Sequence, residues 1–350
     1  MLSDTKEIIF GDVFNVSTPN HIIIINQTED GIYPLVSRSS YRNGICKYIA
    51  KYKDSDLEPG QCLTVACSTQ EVFYQENPFY STQNVFIVRH KNLNLYNGCY
   101  IINILKQYLK FRFDWSCGVS INRLKKLKIL LPVTPDGDLD WDYMERISRD
   151  LFIKEYRQRL EKGEKALADI GEIKELHKPH HYESINFKTL FPEVKRGKSL
   201  IRKYDRIPGT IPYVSATKLN NGIDCYLSNP DNLPTYKDCL TMAIVGGPKS
   251  TFYHEEEFLA SPNVLILKNK LFNKYIYLYL IGWLNAIGEL HSYGYEITPY
   301  RLEHRNVDLP MTTDDKIDFD YIETYIKNLM IKEYEKRINI CKFKLEELHG

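Results

Sequence analysis

The stretch LPVTPDGDLDWDYMERI runs from Leu131 to Ile147, and LPMTTDDKIDFDYIETYI runs from Leu309 to Ile326. Leu131-Pro132 matches Leu309-Pro310. Asp140, Asp142 and Tyr143 match Asp318, Asp320 and Tyr321, with Trp141 opposite Phe319. The echo extends outward at the same offset. IKEYRQR (Ile153 to Arg159) matches IKEYEKR (Ile331 to Arg337). About a hundred residues upstream, IYPLVSRSSYRNGI (Ile32 to Ile45) matches TIPYVSATKLNNGI (Thr210 to Ile223) through Pro34/Pro212, Val36/Val214, Ser37/Ser215 and Asn43-Gly44/Asn221-Gly222. Between these anchors the register slips by one: CLTVA from Cys62 pairs with CLTMA from Cys239, and STQNVFIV from Ser81 with ASPNVLIL from Ala260. Arg123-Leu124 then returns to register with Arg301-Leu302. Matches in one order and at this long period mean a duplicated domain, not a solenoid.

Each half reads as an α+β head followed by a long helix. VFIVRH, LKILLP, VLILKN and CLTMAIV are short runs rich in β-branched residues and bounded by turn formers, as strands are. GCYIINILKQYLKF and the apolar run from Tyr275 to Gly288 read as helices inside the heads. Asp138 or Asp140 is placed to cap the first long helix. Its apolar positions are Trp141, Met144, Ile147, Leu151, Leu160, Leu167, Ile170, Ile173 and Leu176, and Pro179 stops it. About 37 residues at 1.5 Å each give roughly 55 Å. In the second half Phe319, Ile322, Ile326, Met330, Tyr334, Ile338, Cys341, Leu345 and Leu348 recur at intervals of three and four. Such a stripe needs a partner helix, and the other copy is the obvious one. The expected division is a first head over 1–138, a helix over 139–178, a second head over 179–316 and a helix over 317–350. The two helices are expected to pack as an antiparallel coiled coil with pseudo-twofold symmetry, the heads at its ends.

Composition excludes several classes. Net charge is +1, so any surface that meets a polyanion must be local. The N-terminus lacks a basic segment followed by an apolar run, so no signal peptide is expected. HIIIIN and YIYLYLIGWLNAIG are too short to span a bilayer, and no membrane role is expected. Eight cysteines lie scattered, none as C-x-x-C, and read as reduced thiols in a cytoplasmic protein.

The ordered duplication, the IPYVSATKLNNGI segment and the LP…D(W/F)DY segment that starts each helix are the features by which the chain resembles DNA-specificity (S) subunits of type I restriction-modification systems, and the similar specificity subunits of BcgI-like systems. The resemblance covers nearly the whole chain. It implies two target-recognition domains that each read half of a bipartite DNA site. It implies a coiled coil that acts as ruler and docks methyltransferase subunits, two of them, with a motor-nuclease subunit in a full system. It also implies a non-catalytic chain that binds no cofactor of its own, S-adenosylmethionine and ATP belonging to the partners.

No motif in the chain points to chemistry of its own. NPFY (Asn77 to Tyr80) differs at Phe79 from the Asn-Pro-Pro-Tyr/Phe loop of amino-methyltransferases, and no Phe-x-Gly-x-Gly strand accompanies it; a turn or strand edge is the simpler reading. VGGPKST (Val245 to Thr251) lacks phosphate-loop spacing and reads as a DNA-contacting loop or a hairpin turn. HEEEF (His254 to Phe258) reads as a solvated run on a strand, and LHKPHHYE (Leu176 to Glu183) as a polar linker. No metal site is expected.

Double-stranded DNA is the expected ligand, and three basic runs offer phosphate contacts: Ser37 to Lys53, Lys106 to Lys128 and Lys195 to Arg206. From these come Arg112, Arg123, Lys125, Lys126 and Lys198, with Arg301 at the place of Arg123. Arginine suits guanine and Asn or Gln suits adenine in the major groove. The loop after the Pro-x-Val-Ser strand therefore supplies Arg38, Ser39, Arg42 and Asn43 in head one and Thr217, Lys218 and Asn220 in head two. Thr69, Gln70, Lys249 and Ser250 follow the CLT strands. SCGVS (Ser116 to Ser120) and HSYGYE (His291 to Glu296), which contains Tyr293, complete the set. The Asn-Gly pairs also read as plain turns. The frames repeat while the loops differ, which predicts a non-palindromic target. Two other classes stay open: a bifunctional chain that itself cuts or methylates, and a coiled-coil scaffold whose heads bind protein.

Overall fold

A computed structural model describes residues 4–52, 56–112, 118–244, 250–289 and 297–349. The chain divides into two compact units, one made of Met1–Leu160 with Cys341–Gly350 and the other of Glu161–Ile340. No helix among the described residues is long and apolar enough to cross a membrane.

The first unit runs β1 (Asp4–Ile9), α1 (Phe10–Val13), β2 (Asn15–Ser17), β3 (Asp30–Val36), β4 (Ile45–Ile49), β5 (Cys62–Ala66), β6 (Val72–Gln75), β7 (Tyr80–Ser81), β8 (Val85–Arg89), α2 (Leu95–Arg112), α3 (Ile121–Lys125), β9 (Lys128–Val133) and, as far as Leu160, α4 (Trp141–Ile170). Three sheets result, ordered β2-β8-β5-β6, β4-β3-β7 and β1-β9. CLTVA is buried at all five positions, as a central strand covered on both faces must be. The amphipathic α2 lays Ile101, Leu105 and Leu109 onto Leu63, Val65 and Val88, which form the main core with Phe10, Phe14 and Ile129.

The second unit repeats this order as β10 (His181–Asn186), α5 (Phe187–Leu190), β11 (Glu193–Arg196), β12 (Pro208–Val214), β13 (Ile223–Leu227), β14 (Thr235–Tyr236), β15 (Cys239–Ala243), β16 (Thr251–His254), β17 (Phe258–Ala260), β18 (Val264–Lys268), α6 (Lys274–Glu289), α7 (Pro299–Glu303), β19 (Asn306–Met311) and, as far as Ile340, α8 (Phe319–His349). Its sheets are β11-β18-β15-β16, β13-β12-β17-β14 and β10-β19. Only β14 lacks a counterpart among the described residues of the first unit. There a single bridge, Glu58 to Phe79, takes its place.

The repeated opening string is a strand, a turn and a helix start. Pro132 cannot donate, but its carbonyl accepts from Asp140 N at 3.0 Å, and Pro310 accepts from Asp318 N at 2.8 Å. The intervening turn closes with Thr134 N on Asp138 O, or Thr312 N on Lys316 O, both at 2.8 Å. The turn needs a left-handed residue, supplied by Gly137 (φ 86°) and by Asp315 (φ 54°). Asp140 and Asp318 then cap the helices: each Oδ1 accepts, at 2.9 Å, the N–H three residues on, from Tyr143 or Tyr321. Trp141 stacks on His90 with centroids 4.5 Å apart, and Phe319 meets Phe272 edge-on at 6.0 Å.

Two expectations about the first long helix are corrected. It ends at Ile170 and does not continue to Pro179. Gly171 turns left-handed (φ 95°) and its N–H falls on Leu167 O at 3.1 Å, the ordinary glycine stop. Leu151 also leaves the buried stripe: it is 59% exposed. Ser148 and Gly163 are buried in α4 instead. Within the second unit, Lys174 N donates to Asn328 Oδ1 at 3.0 Å and Asn328 Nδ2 to Lys174 O at 2.8 Å. Gly163 there faces Ile338. Numbers rise along the first segment as they fall along α8, so the two run antiparallel in this unit. Within the first unit Arg157 Nη2 lies 3.3 Å from His349 Nε2.

Candidate nucleic-acid interface

In the first unit, β3 and β5 both end at the edge where the candidate loops emerge. The segment from Ser37 to Gly44 is closed at its base by Ser37 N on Gly44 O at 2.8 Å. Three successive residues, Arg42, Asn43 and Gly44, take positive φ of 52°, 56° and 78°. L-residues visit this region one at a time at most, so the turn must be held from outside. Asn43 holds it: its Nδ2 donates to Tyr74 O at 2.8 Å and to Gln75 Oε1 at 3.2 Å. Ser39 tightens the approach, its Oγ accepting from Tyr41 N at 3.1 Å. The β5–β6 hairpin joins this edge through Thr69, whose Oγ1 donates to Arg38 O at 3.2 Å. Cys67 N donates to Asn84 O and Val119 N to Cys67 O, so residues 118–120 lie beside the same hairpin. Arg38 and Arg42 are exposed and form no ion pair among the described residues.

The second unit builds the same turn from different residues. Asn220, Asn221 and Gly222 have φ of 48°, 57° and 77°. Asn221 Nδ2 donates to Tyr253 O at 3.2 Å, and Thr217 Oγ1 accepts from Leu219 N at 3.2 Å. Ser215 N closes the base on Gly222 O at 3.0 Å. Ser199 N on Ala260 O and Ser261 N on Val214 O place the exposed Lys198 by the end of β17, next to the end of β12 from which the loop departs.

The family described as Type I restriction modification DNA specificity domain matches this sequence twice, over residues 3–162 and 179–340. The chain belongs to that family. It is a specificity subunit, which recognises DNA sequence in a restriction-modification system. The specificity subunit S.BcgI of a type II restriction enzyme from Heyndrickxia coagulans is 27% identical to it over 335 residues, covering 94% of this chain and 93% of that one. Among solved structures, the S subunit of a type I system from M. genitalium aligns with 99% of this chain and 95% of its own, at 13% identity and a TM-score of 0.47. The HsdS subunit from Thermoanaerobacter tengcongensis aligns over 98% and 93%, at 11% identity and 0.32.

Not every candidate in this specificity subunit faces outward. Ser250 is corrected: it is 6% exposed, and its carbonyl accepts from Ala243 N inside the frame. Asn43 spends its amide on the frame, the turn reading of the Asn-Gly pair. Arg123 bonds within its own turn: its Nη1 donates to Gly118 O at 2.9 Å, and its N–H to the capping Ser120 Oγ at 3.3 Å. Arg301 starts α7 the same way, on Thr298 Oγ1. Lys125 and Lys126 are exposed at the end of α3, where Gly11 packs on the backbone of Lys125. No hydrogen bond among the described residues links those two lysines to the Ser37–Gly44 loop. Arg112 ends α2, exposed beside the Tyr108 ring. Gln70 sits in the tight β5–β6 turn with φ 59°. Lys249, Tyr293 and the VGGPK and HSYGYE loops lie outside the described residues, as do Lys53 and residues 113–117.

The basic runs are partly neutralised by acids distant in sequence. Lys47 pairs with Asp30 at 3.0 Å, Lys106 with Glu71 at 2.6 Å and Lys128 with Glu7 at 2.8 Å. What remains exposed at the loop edge is therefore more selective than the sequence suggested. The edge also carries residues read only as an apolar run. Ile22 and Ile24, 49% and 59% exposed, line a shallow cleft of about 590 Å³ with Arg38, Thr82 and Gln83. The run of four isoleucines alternates in the fold, Ile23 buried and Ile22 and Ile24 exposed, which an unbroken apolar run does not reveal.

The remaining motifs are structural. Phe79 of NPFY is fully buried. Glu255, Glu256 and Glu257 occupy the loop between β16 and β17, not a strand, and are exposed. His254 is buried and shares a 2.9 Å hydrogen bond with Thr241 Oγ1; burial pushes its imidazole down to about 4. His177 of the expected linker binds Asp318 at 2.7 Å, and His181 already belongs to β10. Burial pushes the Cys62 and Cys239 thiols up to about 11 and 12, which suits inert core thiols. No group of three or more His, Cys, Asp or Glu side chains that could hold a metal occurs among the described residues.

Proposed function

We propose that this specificity subunit reads a two-part, non-palindromic DNA site, one half with residues 1–138 and the other with 179–316. The observation that carries the reading is the repeated loop: the same left-handed turn, held by the same hydrogen bonds, presents two arginines in the first unit and lysine with asparagine in the second. Duplicated frames with unlike loop chemistry suit two unlike half-sites. Arg112, Lys125, Lys126 and Lys198 serve phosphate, which fixes register without reading sequence.

The segments 139–178 and 317–350, which contain α4 and α8, form an antiparallel coiled coil in this reading. It sets the spacing of the half-sites and docks two methyltransferase subunits. The antiparallel run of Lys174 and Gly163 against Asn328 and Ile338 supports that arrangement. The chain itself carries no catalysis and no cofactor. S-adenosylmethionine belongs to the methyltransferase partners, and ATP to a motor-nuclease subunit where the system has one, all in the cytoplasm. The likeness to a type II specificity subunit favours, as a second reading, a BcgI-like system in which cutting and methylation reside in the partner chain.

The test is a binding selection from randomised duplex DNA, using the chain with its methyltransferase partner. A split, non-palindromic consensus is expected. Binding without sequence preference, or methylation by the chain alone, overturns the reading.

A further inference from the structure

The two copies of the loop permit a residue-level division that neither copy permits alone. Some positions have the same job twice. Ser37 and Ser215 close the base, Ser39 and Thr217 accept the N–H two residues on, and Asn43 and Asn221 donate to the carbonyls of Tyr74 and Tyr253. These side chains are consumed by the frame. The interleaved positions differ: Arg38 stands where the second copy has Ala216, Ser40 where it has Lys218, Tyr41 where it has Leu219, and Arg42 where it has Asn220. Ser40, Tyr41 and Arg42 are exposed, as are Lys218, Leu219 and Asn220. Arg42 and Asn220 sit at the same left-handed backbone position, φ 52° and 48°. A residue with a bulky side chain gains nothing locally from that conformation, and in the first copy an arginine is nonetheless placed there.

We propose that positions 38, 40, 41 and 42, and their counterparts 216, 218, 219 and 220, decide which bases each half-site contains. This rests on the two-head reading above and assigns the chemistry within it. A guanidinium matches the O6 and N7 acceptors of guanine, and a carboxamide matches N6 and N7 of adenine. The first half-site therefore contains a guanine read by Arg42, with Arg38 anchored beside it through its own carbonyl and Thr69. The second half-site contains an adenine read by Asn220. Ser39, Asn43, Thr217 and Asn221 hold the readers in place and read nothing.

The experiment is a binding selection on randomised duplex DNA with the chain and its methyltransferase partner, run on three proteins. The first is the unaltered chain. The second carries the whole loop exchange Arg38→Ala, Ser39→Thr, Ser40→Lys, Tyr41→Leu and Arg42→Asn. The third carries Asn220→Arg alone, a change whose backbone demand Arg42 already meets in the first copy. The loop exchange should move the first half-site's preference toward that of the second, leaving the second unchanged. Asn220→Arg should replace an adenine by a guanine in the second half-site, with about 10- to 100-fold discrimination. If the unaltered chain selects a split sequence and both variants select the same one, the loop assignment is wrong and the two-head reading stands. If the unaltered chain selects no sequence, both fall. Should the loop exchange fail to fold, Asn220→Arg decides alone.

Discussion

A Cβ built on Gly163 would lie 3.2 Å from Ile338 Cγ1. The glycine is buried in the interior of α4, two turns before its end, where glycine costs helix stability of about 1 kcal/mol relative to alanine. Close approach of the facing helix explains its use. Gly163→Leu should destabilise the chain by about 2 kcal/mol through overpacking. Gly163→Ala should be near neutral, since the propensity gain offsets a contact that Ile338 can relieve by a few tenths of an ångström. Urea melts of the two variants check both values.

Asn43 and Asn221 are expected to matter for stability and not for base choice. Alanine in a left-handed position costs about 1–2 kcal/mol, and loss of the amide leaves the Tyr74 or Tyr253 carbonyl unsatisfied for about 1 kcal/mol more. Asn43→Gly should recover most of the backbone part. Thermal melting reads the cost, and the selected DNA sequence should not change in either variant.

His254 gives the second unit a pH dependence that the first lacks at the equivalent place. Its imidazole lies 4.5 Å from the Phe258 ring and on Thr241, and burial lowers it from 6.5 to about 4. The unfolded chain takes up a proton near pH 6.5 that the folded chain refuses until about pH 4. Stability therefore falls as pH drops through that window, by about 2 kcal/mol between pH 7 and 4.5. In the first unit Gln75 fills this position and donates to Thr64 Oγ1 at 3.1 Å. His254→Gln should keep the hydrogen bond and remove that share of the acid sensitivity, read as urea midpoints at the two pH values.

Leu151 and Leu329 stand at equivalent places on α4 and α8 and are 59% and 46% exposed. Their matched places make them the sites at which to test the docking of two methyltransferase subunits proposed above. Leu151→Asp should cut association with the methyltransferase at least tenfold at one of two sites, without lowering the melting temperature. Sedimentation of the complex would show one partner bound in place of two.

The strands, the duplicated order and an aspartate cap on the first long helix were legible because each rests on local chemistry: β-branched runs, a repeated string and a carboxylate placed before a helix. The end of α4 was not. Ile173 and Leu176 continue the apolar spacing past Gly171, and spacing cannot reveal a glycine that turns left-handed. Leu151 fits the stripe equally well but faces outward, with Ser148 and Gly163 buried instead, since small residues set the closest helix approach. At the candidate interface the turns at the Asn-Gly pairs were legible but the division of labour among their residues was not. Whether Asn43 reads a base or holds a turn depends on Tyr74, thirty-one residues away. Ser250 looked like a surface residue beside Lys249 and is part of the frame. Ile22 and Ile24, read only as part of an apolar run too short to span a membrane, line the loop edge.

The central claim is one head for each half of a split site. Footprinting of the chain with its methyltransferase partner on a selected duplex tests it most directly. The account predicts two protected blocks about one to one and a half helical turns apart, at roughly 34 Å per turn, with Arg42→Ala weakening one block and sparing the other. A single continuous block, or two blocks that Arg42→Ala weakens equally, would contradict it.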